Sequence, residues 1–257
     1  MMKKSILFVL TAILAVSCAT RKDVIYFQDL EKGSIPQPDP SYTYPKIQIG
    51  DILKIDITAM QEEALIPFRF EKIEMNQGRN LEVMKLEGYE VGKDGTINYP
   101  GLGDVKLAGM TTREAQKHLE GLLSENIINP SVKVRLLNFQ VTVLGEVNNP
   151  GTYTITEERV TLPQVLGLAG DFTIKGRRDN VLIIREVNNV RQEVRIDFTK
   201  TDWMNGPYFH MKQNDVVYVE PNNPKVKSAG YIGNVGTILS VVSILLSATV
   251  IIVNASK

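Results

Sequence analysis

Residues 111–136 have the sequence TTREAQKHLEGLLSENIINPSVKVRL, and this stretch decides the class of the fold. Thr111 and Glu114 have the spacing of a capping box, which predicts that a helix begins here. The helix has one apolar face and ends before Pro130. From Val132 to Leu136 apolar and basic residues alternate, a pattern typical of a half-exposed strand. A helix followed directly by a strand predicts a mixed fold.

A second unit further along the chain repeats this arrangement. Thr161 and Gln164 have the spacing of another capping box, and Gly170 lies where a glycine commonly ends a helix. Alternating apolar residues before and after this helix predict strands. The last strand follows Asn214-Asp215, which echoes Gly50-Asp51 before a strand of the first unit. The predicted class is α+β, with two small strand-rich domains that each carry a helix.

Several turns are predicted from glycine, proline and aspartate. Asp94-Gly95 is a signal for a tight hairpin. The glycines that follow Pro100 are expected to supply turns rather than phosphate contacts. Pro150-Gly151 suits the two central positions of a type II turn, because proline presets one φ angle and glycine tolerates a positive one. Residues 62–87 follow no clean period, so we predict an irregular insertion there.

The first residues of the chain have the order of a secretory signal, with lysines before the apolar run Ile6–Val16. As a helix this run covers roughly 16 Å, too short for a membrane core of about 30 Å. Cys18 follows and is the only cysteine. An exported chain with one cysteine has no internal disulfide partner, so we predict that Cys18 is lipidated. The alternative is a free or buried thiol after ordinary signal cleavage. Residues 18–45 are proline-rich and predict a semi-extended tether.

The other end carries a second membrane signal. No charge occurs between Lys227 and Lys257, and Val235–Val253 would span roughly 28 Å as a helix. We predict a linker at 223–231 and a transmembrane helix over 232–253. Small residues recur along it at steps of three and four, which favours packing against copies of itself or contact with a wet lumen over a plain single anchor. This small-residue stripe consists of Gly233, Gly236, Ser240, Ser243 and Ser247.

Composition and motifs argue against several functions. The chain has 29 basic and 29 acidic residues and no long basic run, so nucleic acid is a poor partner. The two histidines lack a metal-ligand spacing, and neither a Gly-x-Ser-x-Gly motif nor a phosphate loop occurs in the sequence. We predict no catalysis, no metal and no cofactor. For Trp203, Tyr208 and Phe209, core packing or a subunit contact is favoured over stacking on sugar rings.

Taken in order, these segments resemble the outer-membrane polysaccharide export lipoproteins of capsule and exopolysaccharide secretion. Leu14–Cys18 resembles the bacterial lipobox, with Ala15 in place of a larger aliphatic residue. The second unit is similar to the soluble-ligand-binding β-grasp (SLBB) module, although Asp171 replaces the second glycine of that module's Ala-Gly-Gly. The family-motif positions are Gly50, Asp51, Asp94, Gly95, Pro100, Gly103, Gly145, Glu146, Pro150, Gly151, Gly170 and Asp215.

The resemblance implies a domain organisation. It comprises a lipoprotein signal peptide (1–17), a lipid-anchored tether (18–45), a polysaccharide export domain (46–137), an SLBB β-grasp domain (138–222), a linker (223–231) and a C-terminal transmembrane helix (232–253).

The resemblance also implies a function. A ring of subunits, commonly eight, forms a pore in the outer membrane with its helices and a periplasmic vestibule with its domains. The ring exports capsular or extracellular polysaccharide and docks onto an inner-membrane co-polymerase of the tyrosine-kinase type. Two alternatives stay open. One is a periplasmic adaptor or sugar-binding lipoprotein whose helix is only an anchor, and the other is a polysaccharide-processing enzyme.

Overall fold

A computed structural model of the chain describes residues 21–30, 44–68, 81–187, 190–228 and 235–255. Cys18, Gly233 and most of the predicted tether lie outside these residues, so what the sequence predicts for them stays a prediction. The class is mixed α+β, as predicted, with two sheet-containing units followed by two helices among the described residues.

The first unit contains a three-stranded sheet and a separate hairpin. Its elements are β1 (Ile52–Thr58), a 3-10 helix (Glu62–Phe68), α1 (Leu81–Leu86), β2 (Tyr89–Glu90), β3 (Thr96–Tyr99), β4 (Gly103–Lys106), α2 (Thr112–Leu123) and β5 (Ser131–Leu136). In the sheet, β1 lies between β2 and β5 and is antiparallel to both. β3 pairs with β4.

Helix α2 closes the core of this unit. Both bonds of the predicted capping box form at its start, because Thr111 and Glu114 cap each other's backbone N–H groups. The buried side chains of the helix, Ala115, Leu119 and Leu123, belong to one core with those of β1 and β5. The region predicted as an irregular insertion is partly regular, since it contains the 3-10 helix and α1. Residues 69–80 lie outside the described chain.

The second unit is built on a five-stranded sheet. Its elements are β6 (Gln140–Gly145), β7 (Gly151–Thr154), α3 (Leu162–Leu168), β8 (Gly176–Val187), β9 (Val190–Ile196), a 3-10 helix (Asp202–Asn205) and β10 (Val216–Pro221). The strand order is β7-β6-β10-β8-β9. β10 is parallel to β6 and antiparallel to β8, so the last strand of the chain occupies the centre.

Alternation along the central strands builds the core of the second unit. Val143, Ile183 and Val217 are fully buried on one face of the sheet's three middle strands. Helix α3 packs in the same core through Leu162 and Val165, and its predicted capping box at Thr161 is confirmed.

Residues 21–30 also belong to the second unit, and we call them the N-terminal arm. The N–H groups of Phe27 and Gln28 donate to the carbonyls of Phe198 and Thr199, at 3.2 and 2.7 Å. Tyr26 and Phe27 pack against the second core. The prediction of an extended tether is therefore wrong for this stretch, because its two aromatic side chains gain more from burial than from solvent.

The chain continues beyond β10 in two helices, α4 (Asn223–Ser228) and α5 (Val235–Ala255). Residues 223–228 were predicted as linker and are helical instead. A terminal helix is confirmed over the described residues 235–255, and residues 232–234 of the predicted helix lie outside the described chain. Within the residues that the structure describes, no helix combines the length and apolarity that crossing a membrane requires, so the predicted transmembrane span is not confirmed.

Candidate functional site

Asp51 and Asp215 lie just before β1 and β10, and each forms a turn of the same kind. The N–H of Gln48 donates to the Asp51 carboxylate at 2.8 Å, and the N–H of Lys212 donates to the Asp215 carboxylate at 2.7 Å. The residue before each aspartate has a positive φ, of 83° and 64° respectively. The echo between the two sequences is therefore a shared local structure, in which a buried carboxylate caps the backbone that enters a strand.

Asp215 is paired with a buried cation. Arg185 on β8 donates from Nε to one carboxylate oxygen at 2.8 Å and from Nη2 to the other at 2.6 Å. The side chains of Arg185 and Asp215 are 3% and 0% exposed. Arg185 also donates to the carbonyls of Pro207 and His210, and its guanidinium lies 4.7 Å from the ring centroid of Tyr208. Arg185 therefore connects the loop before β10 to β8 by hydrogen bonds.

Asp51 is buried but differs in its electrostatic surroundings. It is 3% exposed and forms no ion pair among the residues that the structure describes. Burial raises the pKa of Asp51 to about 6, and the hydrogen bond from the Gln48 N–H opposes this shift. The carboxylate of Asp51 therefore titrates close to neutral pH.

Asn138 joins the two aspartate turns. Its Nδ2 donates to the carbonyl of Gly50 at 2.9 Å, and its Oδ1 accepts from the N–H of Ile52 at 2.9 Å. Its own carbonyl accepts from Nε2 of Gln213 at 2.7 Å. One residue thus fixes the first strand of the first unit relative to the last loop of the second. The sequence offered no signal for this role, because a single asparagine at a boundary has no distinctive spacing.

A cleft of about 750 Å³ opens between the two units beside this junction, and we call it the interdomain cleft. Its volume lies in the range of sites for small ligands. Of its charged residues, Glu186 alone forms an ion pair within the described part of the chain. Opposite charges therefore line the cleft without neutralising one another, and they offer donors and acceptors to a polar ligand. These charged residues are Lys46, Asp51, Lys133, Arg135, Glu157, Glu158, Glu186 and Lys212.

Asp94 and Gly95 form a turn, but the hairpin predicted there is wrong. Asp94 accepts from the N–H and the hydroxyl of Thr96, at 3.2 and 2.8 Å, and Gly95 has a φ of 78°. The turn leads from β2 into β3, and these strands belong to different sheets. The hairpin of this region is β3–β4, whose turn contains Pro100 and ends at Gly103.

Gly145 ends β6 where two strands approach closely. Its φ is 89°, and a Cβ atom there would lie 2.1 Å from the carbonyl oxygen of Val219 on β10. The next residue, Glu146, accepts from the hydroxyl of Thr173 at 2.9 Å and forms an ion pair with Lys225. Both family-motif positions therefore have structural roles. Gly145 lets β10 approach because it has no side chain, and Glu146 links Thr173 to Lys225.

The type II turn predicted at Pro150-Gly151 is wrong. Gly151 is the first residue of β7 and pairs with Val143. Its φ is not positive. A type II turn requires a positive φ at its third residue, which is incompatible with the extended backbone that pairs with β6.

Gly170 confirms the predicted end of α3 with a φ of 75°. Asp171 follows with a φ of 68°, so an aspartate adopts the left-handed conformation that a glycine favours. Its Oδ1 accepts from the N–H of Phe172 at 2.7 Å and from the hydroxyl of Tyr26 at 2.6 Å. The departure from the second glycine of the SLBB pattern therefore creates a contact with the N-terminal arm.

The described members of the small-residue stripe lie along one side of α5, because Gly236, Ser240, Ser243 and Ser247 are three and four residues apart. The hydroxyls of Ser240 and Ser247 donate to the carbonyls of Gly236 and Ser243, both at 2.8 Å. These two hydroxyls therefore have their hydrogen-bond acceptors within the helix, and the side chains along the stripe are small. Its role in helix packing stays a prediction.

Trp203 is the aromatic candidate with a clear outcome. Trp203 is buried, donates from Nε1 to the carbonyl of Lys200 at 2.8 Å, and its ring centroid lies 4.6 Å from that of Phe198. Core packing, the favoured role, is confirmed for this residue. Among the described residues, no three or more His, Cys, Asp or Glu side chains come together as a metal site.

Comparisons with known proteins divide the chain at the same junction. Residues 38–137 match the family described as polysaccharide biosynthesis/export protein, and residues 140–195 match the SLBB domain. The chain is 32% identical over 90 residues to the EPS I polysaccharide export outer membrane protein EpsA of Ralstonia solanacearum, which covers 34% of this chain and 24% of that protein. It is 32% identical over 104 residues to the protein of the same name in Ralstonia nicotianae, covering 39% and 27%. The chain matches about a quarter of the length of these relatives.

Proposed function

We propose that this chain is a subunit of an oligomeric outer-membrane channel, because residues 38–137 match the polysaccharide biosynthesis/export protein family and residues 140–195 match the SLBB domain. The channel exports capsular or extracellular polysaccharide from the periplasm to the cell surface. The curated relatives carry names that state polysaccharide export and the outer membrane, which supports both the cargo and the location.

The observation that supports attachment of α5 to a membrane is its apolar surface. Large apolar side chains on this helix are exposed, and the described part of the chain does not cover them. Burying one such side chain contributes about 1.5–3 kcal/mol, so covering six is worth on the order of 10 kcal/mol per subunit. Neighbouring α5 helices and lipid together supply such cover. The exposed side chains are Leu239, Val241, Val242, Ile244, Leu246 and Ile251.

In this proposal two attachments hold each subunit. Cys18 is acylated, and α5 enters the same outer membrane as one member of a helical ring. The small-residue stripe lets neighbouring helices approach closely. The folded domains lie in the periplasm, and an inner-membrane co-polymerase of the tyrosine-kinase type binds them from the inner-membrane side. Eight copies is the number that the family resemblance implies.

The interdomain cleft favours a second candidate, a periplasm-facing adaptor or sugar-binding lipoprotein without its own pore. Charges of both signs line the cleft, and most of them form no ion pair in the described chain. Such walls suit a ligand rich in hydroxyl groups, since hydroxyls both donate and accept hydrogen bonds. In this case α5 is only an anchor.

Particle size separates the two candidates. The full chain is purified in a mild detergent, its mass is measured by light scattering, and the particles are imaged by electron microscopy. A closed ring with a central opening is the expected result. A monomer, or a small assembly without an opening, would reject the channel and leave the adaptor. Surface polysaccharide in cells that lack the chain gives the matching functional readout, and its loss is expected.

A further inference from the structure

Both ends of the folded body meet at one end of the SLBB domain. On the N-terminal side, Tyr26 of the arm donates its hydroxyl to Asp171 at 2.6 Å, and the guanidinium of Arg178 lies 5.8 Å from the centroid of the Tyr26 ring. On the C-terminal side, the N–H of Asn222 donates to the carbonyl of Lys175 at 2.7 Å as the chain leaves β10. Residues 171–178, which comprise the loop after α3 and the start of β8, therefore hold the segments through which the chain enters and leaves the domain.

Helix α4 is fixed to the same loop. Glu146 accepts from the hydroxyl of Thr173 at 2.9 Å and pairs with Lys225 of α4. The loop carbonyl of Thr173 accepts from Arg178 at 3.0 Å, which orients the guanidinium that contacts the arm. The arm, the loop and α4 are thus linked by direct hydrogen bonds and one ion pair. We call them together the convergence surface, formed by residues 21–30, 171–178 and 223–228.

Each segment of the convergence surface exposes an apolar side chain. The exposed fractions are 39% for Ile25, 69% for Ile174 and 59% for Val226. Exposed side chains of both charges surround them, with an excess of cations beyond the Lys225–Glu146 pair. Apolar side chains among flexible cations suit the headgroup region of a phospholipid bilayer, where the apolar groups enter and the ammonium groups stay in water. The other exposed charged residues are Arg21, Lys22, Asp23, Lys175 and Asp171.

Chain connectivity brings this surface close to the membrane, provided that the proposed acylation and insertion hold. Cys18 precedes Arg21 by three residues, which reach at most about 11 Å when fully extended. Ser228 precedes Val235 by seven residues, which reach at most about 25 Å. Two short connections from one end of a domain to one bilayer leave little freedom for that end to turn away.

We propose that the convergence surface is a membrane-contact surface, seated on the phospholipid headgroups of the leaflet that carries the acyl anchor. The inference rests on the proposed outer-membrane function and adds which side of the SLBB domain touches lipid. Ile174 and Val226 enter the headgroup layer, while the export domain, which lies between the arm and β6 in the sequence, extends away from it.

Site-directed fluorescence on the full chain tests this surface. The single substitutions Ile174→Cys and Val226→Cys are labelled with an environment-sensitive fluorophore. Each protein is reconstituted in vesicles of phosphatidylethanolamine and phosphatidylglycerol that contain a headgroup-linked spin quencher. The matched control is Ile66→Cys, a position in the export domain that is 70% exposed. Labelling of the wild-type chain in the same reaction shows whether Cys18 is acylated, because an acylated cysteine takes up no thiol label.

We expect quenching at positions 174 and 226 to be at least threefold stronger than at position 66. Equal quenching at the three positions in a chain that floats with the vesicles overturns the convergence surface alone. Weak quenching combined with protection of both labels from aqueous iodide also overturns it, because a neighbouring subunit then covers the surface. A chain that does not float with the vesicles, or a wild-type chain that takes up label at Cys18, overturns the proposed double attachment instead.

Discussion

Replacement of Asp215 by asparagine measures what the buried ion pair contributes to the second domain. The change keeps an oxygen that can accept from the Lys212 N–H, but it leaves the Arg185 charge unpaired at 3% exposure. Removing one partner of a buried pair costs about 3–5 kcal/mol. A whole domain is stable by about 5–15 kcal/mol, so we expect Asp215→Asn to lose a large part of that stability.

The assay uses a probe that the chain already carries. Trp203 is the only tryptophan, and it is buried in the same domain, so its fluorescence follows the unfolding of that domain in urea. With a urea dependence of about 2 kcal/mol per molar, the expected loss moves the midpoint down by about 2 M. The matched control is Asp179→Asn, which breaks an exposed ion pair with Arg177 at 2.8 Å. An exposed pair is worth about 1 kcal/mol or less, so the control midpoint moves little.

Equal midpoint shifts for Asp215→Asn and Asp179→Asn would refute this reasoning. The double variant Arg185→Met with Asp215→Asn provides a second check, because removing the stranded charge restores part of the lost stability. If Arg185→Met destabilises the wild type and the Asp215→Asn background by the same amount, the two side chains are not coupled.

Three more outcomes are expected. Folding raises the pKa of Asp51 from 3.8 to about 6. Protonated Asp51 therefore favours the folded state, and the free energy of unfolding falls by roughly 3 kcal/mol as the pH rises from below 3.8 to above 6. Asp51→Asn should remove this dependence in melting curves recorded by circular dichroism between pH 4 and pH 8, and an unchanged slope would contradict the assignment. Gly145→Ala should destabilise the second domain by more than about 2 kcal/mol, because both the positive φ and the close strand resist a Cβ atom, whereas Gly151→Ala meets no atom within 4 Å and should be nearly neutral in the same fluorescence titration. Ser240→Leu combined with Ser243→Leu should impair assembly or export while both domains stay folded, and normal oligomers with normal surface polysaccharide would remove the functional meaning of the stripe.

Local signals in the sequence were reliable where one short segment determines its own structure. Both capping boxes formed as predicted, since Thr111 and Thr161 need only the three residues that follow them. Gly170 likewise ended α3. The echo of Gly50-Asp51 in Asn214-Asp215 also held, because each aspartate closes its turn on a backbone N–H only three residues away.

The errors came from positions where distant partners decide the outcome. Pro150-Gly151 has the composition of a type II turn, but pairing with β6 forces Gly151 into an extended backbone. Asp94-Gly95 forms a turn without a hairpin because the strands on either side join different sheets. No signal in the sequence indicated the role of Arg185, because its partner Asp215 lies 30 residues along the chain. Local pattern contains none of this information.

The N-terminal arm was missed for a related reason. Its surroundings in the sequence are polar and proline-rich, which favours a tether, and the pair Tyr26-Phe27 was the one signal against that interpretation. Its docking site is formed by residues such as Asp171 and Phe198, which lie more than 140 residues away in the sequence. The interdomain cleft was also beyond prediction, because its walls come from separate units.

The position of β10 has a consequence for how the second unit folds. Val216 pairs with Thr142 on one side and with Ile184 on the other, so the central position of the sheet stays vacant until the last strand has been synthesised. A chain truncated before that point leaves two unpaired strand edges, which invite aggregation and proteolysis. Only 13 residues lie between Pro221 and Val235, so the sheet can be completed shortly before α5 is synthesised. A polypeptide that ends before β10 therefore cannot complete the second unit.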